Sequence, residues 1–209
     1  KRNFTNLFPS VFVNYAINKK NTVTVSYSRR ITRPTYQDLN PFIFFLDSLQ
    51  YRQGNPFLLP QFTNNIELSH SFNGKIITTL NYNDTKNVIS QLLKQNEDDR
   101  IVFLTVENVA SFRNMGISIT VPIAVTKWWN LNFFTNIFNN HYKGMYNADP
   151  IDISYTSFMA NTTNTFTIKK GFTMERGGFY RAKGVDNLSI AQPVYQMSIA
   201  AQKQILKGK

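Results

Sequence analysis

The residues that could do chemistry in this chain are two histidines, a run of acids and one aromatic-rich loop. Ser69-His70-Ser71 flanks an imidazole with hydroxyls, the raw material of a nucleophile and its base. The spacing works against that use, because neighbouring side chains on an extended strand point to opposite faces. His141 lies in a different stretch. Glu97-Asp98-Asp99 could attract a cation, yet the ligand spacing of a calcium loop is missing, and the run reads as a solvated hairpin tip. There is no cysteine, which excludes disulfides and Cys-based zinc sites. Neither a phosphate loop nor a dinucleotide fingerprint is present. We therefore assign no catalytic residue, cofactor or metal, and expect a protein that is not an enzyme.

The loop from Thr32 to Phe62 is the ligand candidate. It holds four of the eight prolines, Pro34, Pro41, Pro56 and Pro60, each of which would remove a donor from a paired strand. Phe42-Ile43-Phe44-Phe45-Leu46 and Phe57-Leu58-Leu59 need something to pack against. Tyr36, Asp38, Asn40, Tyr51, Arg52 and Asn55 set polar groups beside them. These six are the candidate ligand or loop-contact residues, and a helical turn is predicted near Tyr36-Gln37-Asp38-Leu39.

The elements that carry this loop alternate apolar and polar residues with period two, as in Thr22-Val23-Thr24-Val25-Ser26-Tyr27-Ser28. Such alternation suits strands whose two faces meet different surroundings. It predicts strands over 7–17, 22–31, 63–72, 75–95, 101–121, 128–142, 154–168, 172–181 and 191–206. Asn73-Gly74 is a strong hairpin signal. Short turns at 18–21, 73–74, 123–127 and 169–171 alternate with longer connections at 32–62, 96–100, 143–153 and 182–190. The fold class is thus all-β, an antiparallel up-and-down meander of about nine long strands.

Composition bears on the surroundings of those strands. Aromatics make up 14% of the 209 residues, 18 of them Phe, and charged residues only 17%, against roughly 25% in an ordinary soluble domain. Few charges, many aromatics and uncharged polar alternation suit a transmembrane barrel. No run of 18 or more apolar residues could form a membrane-spanning helix, and among strand structures only a closed barrel satisfies its backbone in lipid. Trp128, Trp129, Tyr142 and Tyr146 are expected at the membrane interface. The net charge of +11 comes from scattered turns and short clusters, so no nucleic-acid partner is expected. The competing reading is a soluble all-β extracellular binding module, which shares the alternation.

Specific residues also carry a likeness. Ser28-Arg29-Arg30-Ile31-Thr32-Arg33-Pro34, Tyr36-Gln37-Asp38-Leu39-Asn40-Pro41 and Gln53-Gly54-Asn55-Pro56 with Leu59-Pro60-Gln61 resemble the C-terminal barrel region of TonB-dependent outer-membrane receptors. Among such receptors they look like the outer membrane protein β-barrel family. The stretch from Glu107 to Gly116, and Trp128-Trp129, also resemble it. The resemblance implies a barrel of about 22 strands around a plug, a bacterial outer-membrane location, and uptake of a scarce nutrient, a metal chelate or a glycan. It implies as partners the lipid bilayer, the plug domain, the inner-membrane TonB complex and a small-molecule or glycan substrate. Too few strands are present for such a barrel, and Leu206-Lys207-Gly208-Lys209 lacks a terminal aromatic. Residues 1–209 are therefore expected to be one partial barrel domain, with the plug and the final strand or strands outside it.

Overall fold

The computed structural model describes residues 6–47, 50–95, 102–146, 149–168, 171–186 and 188–205. The strands are β1 (Ser10–Asn18), β2 (Asn21–Thr32), β3 (Phe44–Phe45), β4 (Gln50–Arg52), β5 (Gln61–Phe72), β6 (Ile76–Gln95), β7 (Val102–Ala124), β8 (Trp129–Tyr146), β9 (Asp149–Ile168), β10 (Phe172–Arg181), β11 (Gly184–Asp186), β12 (Ser189–Ala191) and β13 (Val194–Lys203). One short helix, α1 (Tyr36–Leu39), lies in the Pro-rich loop. The main sheet runs β1-β2-β5-β6-β7-β8-β9-β10-β13. This is the predicted meander of nine long strands, antiparallel throughout. Among the described residues β1 and β13 are not paired with each other, so the sheet stays open.

The strict alternation has a direct consequence in the pairing. Val13, Val25, Leu68, Leu80, Ile117, Ile137 and Phe158 sit opposite one another across seven strands. Each is 38–54% exposed, so nothing in this sheet covers them. One residue along, the matching row is Asn14, Thr24, Ser69, Thr79, Ser118, Asn136 and Met159. One face is thus hydrocarbon and the other, Met159 apart, amide and hydroxyl, because the side-chain period is two. A soluble sandwich would bury the apolar row under a second sheet. Among the described residues no second sheet covers that row.

The apolar face has a limited height. Along β7 it runs from Ile123 through Val121, Ile119 and Ile117 to Met115, about 27 Å along the strand and about 20 Å along the membrane normal at ordinary barrel tilt. Beyond it, the same face carries Asn64, Asp84, Arg113, His141 and Ser154, again directly paired. Tyr27 and Tyr82 flank Ile66 at this boundary. The long strands therefore project past the hydrocarbon on the side of the longer connections.

Three predicted connections contain strand. Gly144 and Pro150 suggested a loop over 143–153, but β8 continues to Tyr146 and β9 starts at Asp149. Proline is tolerated at the start of a strand, and Gly144 lets the Val109 carbonyl come close. The 32–62 loop contains β3 and β4, and β4 runs parallel to residues 102–104 of β7. The 182–190 connection folds as the β11–β12 hairpin. The acidic run Glu97, Asp98 and Asp99 lies outside the described residues.

Candidate functional site

The Pro-rich loop is built by local capping. Thr35 starts α1 in a capping box, its Oγ1 accepting from the Asp38 backbone N–H at 3.2 Å while the Asp38 carboxylate accepts from the Thr35 N–H at 3.0 Å. Such reciprocal caps satisfy donors that a helix start leaves open. The same carboxylate faces the Arg52 guanidinium at 3.4 Å, tying α1 to β4. Backbone bonds complete the tie, from Gly54 N–H to Asn40 O at 2.9 Å and from Asn55 N–H to Asp38 O at 2.6 Å. At Gly54 a side chain would collide with the carbonyls of Gln37, Asp38 and Asn40, so the turn requires glycine.

A second set of contacts docks the loop on the projecting strands. Tyr51 stacks on Phe103 with ring centroids 5.1 Å apart and planes 3° apart, while Phe45 meets Tyr51 edge-on. The Gln53 N–H donates to Leu104 O at 3.0 Å. Leu58 is buried at 2% exposure. Asn108 on β7 grips the backbone of Leu59, and its Nδ2 also donates to Asn87 O at 2.8 Å. Asn87 has φ 55°, in the left-handed region that asparagine tolerates. It sits where the β6–β7 register shifts.

The candidate residues come together in part. Asp38, Asn40, Arg52 and Asn55 form one bonded unit. Asn40 and Arg52 also line a cavity of about 260 Å³ with Gln37, Phe42, Phe44 and Gly54. Tyr51 is used in the stack on Phe103. Tyr36 projects at 83% exposure. Gln37, Phe42 and Phe44 were not singled out from sequence as ligand contacts. Phe42 and Phe44 belong to the apolar run already noted there, while Gln37 carried no signal.

The aromatics divide between the two ends. Trp128 and Trp129 cluster with Phe166 beside a short turn, and the Trp129 indole donates to Asn164 Oδ1 at 3.0 Å. Tyr142 is in the row of the polar face, 5% exposed and packed on Phe112 at 4.6 Å. Tyr146 ends β8, paired with Asp149. Tyr27 and Tyr82, on the apolar face at its upper boundary, were not singled out from sequence.

The polar face is bonded across strands. Asn114 Oδ1 accepts from Asn81 at 2.7 Å and Asn83 at 3.3 Å, and Asn114 Nδ2 donates to Asn140 at 2.7 Å. Asn140 in turn donates to Val185 O at 2.9 Å, holding the β11–β12 hairpin against this face. The histidines stay apart. His70 meets Asn21 at 3.0 Å, whereas Ser69 accepts from Thr79 on the opposite face. His141 meets Asp152 at 2.7 Å. Among the described residues no group of three or more metal-ligating side chains gathers.

Comparison with known proteins agrees with this geometry. The siderophore receptor PirA from Pseudomonas aeruginosa superposes with a TM-score of 0.72 at 15% identity, over 97% of this chain and 37% of that one. The ferric enterobactin receptor PfeA from Pseudomonas aeruginosa, in a mutant bound to enterobactin, gives 0.51 at 15% identity, over 94% of this chain and 41% of that one. This chain thus spans about two-fifths of those receptors' length, and at such identity the likeness establishes the fold. No curated protein matches the chain. The model of the outer membrane protein beta-barrel family matches residues 1–209. With the open-faced meander, that match places the chain in the bacterial outer membrane as a member of the outer membrane protein beta-barrel family.

Proposed function

We propose that this chain is one partial barrel domain of a TonB-dependent receptor that imports a scarce nutrient, with a ferric or other metal chelate favoured over a glycan. The observation that carries the reading is the docked loop. It sets exposed Phe42 and Phe44 beside Arg52 and Asn40, with exposed Tyr36 on the adjoining helical turn, at the long-connection end, which in outer-membrane barrels is the external end. Aromatic rings with a cation beside them suit an anionic chelate carrying aryl groups. The siderophore receptors among the structural neighbours support the same class. The polar inner face offers a plug domain hydrogen-bonding groups, and the open edges of β1 and β13 offer pairing to further strands of the barrel.

Uptake of a radiolabelled ferric chelate by cells carrying the intact receptor tests this. Uptake should depend on TonB and fall several-fold in a Tyr36→Ala, Arg52→Ala double variant that still reaches the membrane. Uptake that survives loss of TonB, or that is seen with a glycan and not with the chelate, would overturn it.

A further inference from the structure

The apolar face carries one charge within its own depth, on β10. Phe158 lies opposite Ile137 and Phe166 opposite Trp129, so the even-numbered residues of β9 share the lipid-facing side. Met174 faces Phe166 and Tyr180 faces Ala160, which extends that side over Phe172, Met174, Arg176, Gly178 and Tyr180. Across the next pairing it continues over Tyr195, Met197, Ile199 and Ala201 of β13. Arg176 is exposed and stands midway between the rings of Phe172 and Tyr180. Each ring is about 14 Å away along the strand and about 10 Å along the membrane normal at ordinary barrel tilt. Arg176 is therefore near the middle of the hydrocarbon layer, the depth at which a lipid-facing arginine is most costly.

The sheet does not compensate this charge. Glu175, its neighbour in sequence, is on the polar face, and among the described residues Arg176 is in no ion pair. The acids on the lipid-facing side, Asp84 and Asp152, lie above the apolar band and are taken by Arg113 and His141. Asn164 and Ile199 sit directly across from Arg176, and Gly178, the next residue along that side, sits across from Thr162 and Met197. The small side chains at Gly178 and Thr162 let a second chain come close beside the guanidinium. Headgroup phosphates lie outside the aromatic levels at both ends, whereas a carboxylate at the same depth would meet the planar fork of donors directly. A second copy of these strands across a two-fold axis would instead turn Arg176 toward Arg176. We propose that the β10–β13 face docks the transmembrane wall of a different outer-membrane protein, one that presents an Asp or Glu to lipid at mid-bilayer depth, and that Arg176 pairs with it. The proposal rests on the membrane placement and not on the uptake reading, so either can fail alone.

Photo-crosslinking in cells that make the intact receptor tests it. The photoreactive residue p-benzoylphenylalanine in place of Met197, across from Gly178 on the same side, should form an adduct with one outer-membrane protein. The same probe in place of Ile117, on the lipid-facing side of β7, should not. Arg176→Leu should lower the adduct about fivefold or more, and Arg176→Lys should keep most of it. In lipid vesicles the isolated Arg176→Leu receptor should unfold at a higher urea concentration than the wild type, which separates loss of the partner from a folding defect. Mass spectrometry of the adduct identifies the contact residue on the partner. An Asp or Glu found there, changed to Arg, should restore the adduct to an Arg176→Glu receptor. Adducts with lipid alone, an equal adduct in the Arg176→Leu variant, or a partner with no acidic side chain facing lipid would each overturn the proposal. A less stable Arg176→Leu receptor would also overturn it, because the arginine would then serve its own barrel.

Discussion

Asn108 holds Leu59 by both of its backbone groups, accepting from the Leu59 N–H at 2.7 Å and donating to its carbonyl at 3.0 Å. One side chain on a barrel strand thus imitates a strand partner for a loop that left the sheet far earlier in sequence. Leu58 is buried beside this grip. Asn108→Ala should remove both of these exposed bonds, at a net cost of about 0.5–1.5 kcal/mol each. Hydrogen exchange should quicken at residues 53–59 while the β7–β8 amides stay protected. Unchanged exchange in the loop would show that the stack of Tyr51 on Phe103 suffices to dock it.

Gly144 tests the closeness of backbone packing at the upper end of β8. A Cβ there would collide with the Val109 carbonyl oxygen, and that group cannot rotate aside. Gly144→Ala should therefore destabilise the barrel by about 1–3 kcal/mol. At Gly178 the nearest atom is the Thr162 side-chain oxygen at 3.3 Å, so Gly178→Ala should cost far less. Urea unfolding of the two variants of the intact protein in detergent, followed by tryptophan fluorescence, measures the difference.

Asn114 is the centre of the ladder on the polar face. It joins Asn81 and Asn83 on β6 to Asn140 on β8, and Asn140 joins Val185 of the β11–β12 hairpin. Asn114→Ala should loosen this chain of bonds, and Asn140→Ala should free the Val185 carbonyl outright. Amide exchange at 184–186 should rise more in Asn140→Ala than in Asn114→Ala. Unchanged exchange in both variants would mean that Ser157, whose hydroxyl donates to Ala182 O at 3.2 Å, suffices to hold the hairpin.

The meander was legible because period-two alternation is written into nearly every long strand, and Asn73-Gly74 marks its turn. The helical turn at 36–39 was legible from its own few residues. What stayed hidden depends on contacts distant in sequence. The parallel pairing of β4 with residues 102–104 of β7 has no local pattern, and neither has the grip of Asn108 on Leu59. Glycine and proline near 144 and 150 read as a loop, since sequence gives no hint that Val109 packs where a Cβ would be. For the aromatics, alternation gave the spacing of the faces but not which side Tyr142 would take near the end of its strand.

Two adjacent residues test the account of the two faces most directly. Ile117 lies in the apolar row and Ser118 in the polar row, and the chain has no cysteine of its own. Single variants Ile117→Cys and Ser118→Cys, spin-labelled in the intact protein in bilayers, can be compared by their collision rates with oxygen and with a water-soluble nickel chelate. The label at 117 should favour oxygen strongly and the label at 118 the nickel chelate. Equal accessibility at the two positions, or the reverse order, would contradict a sheet with one side in lipid and the other lining the barrel interior.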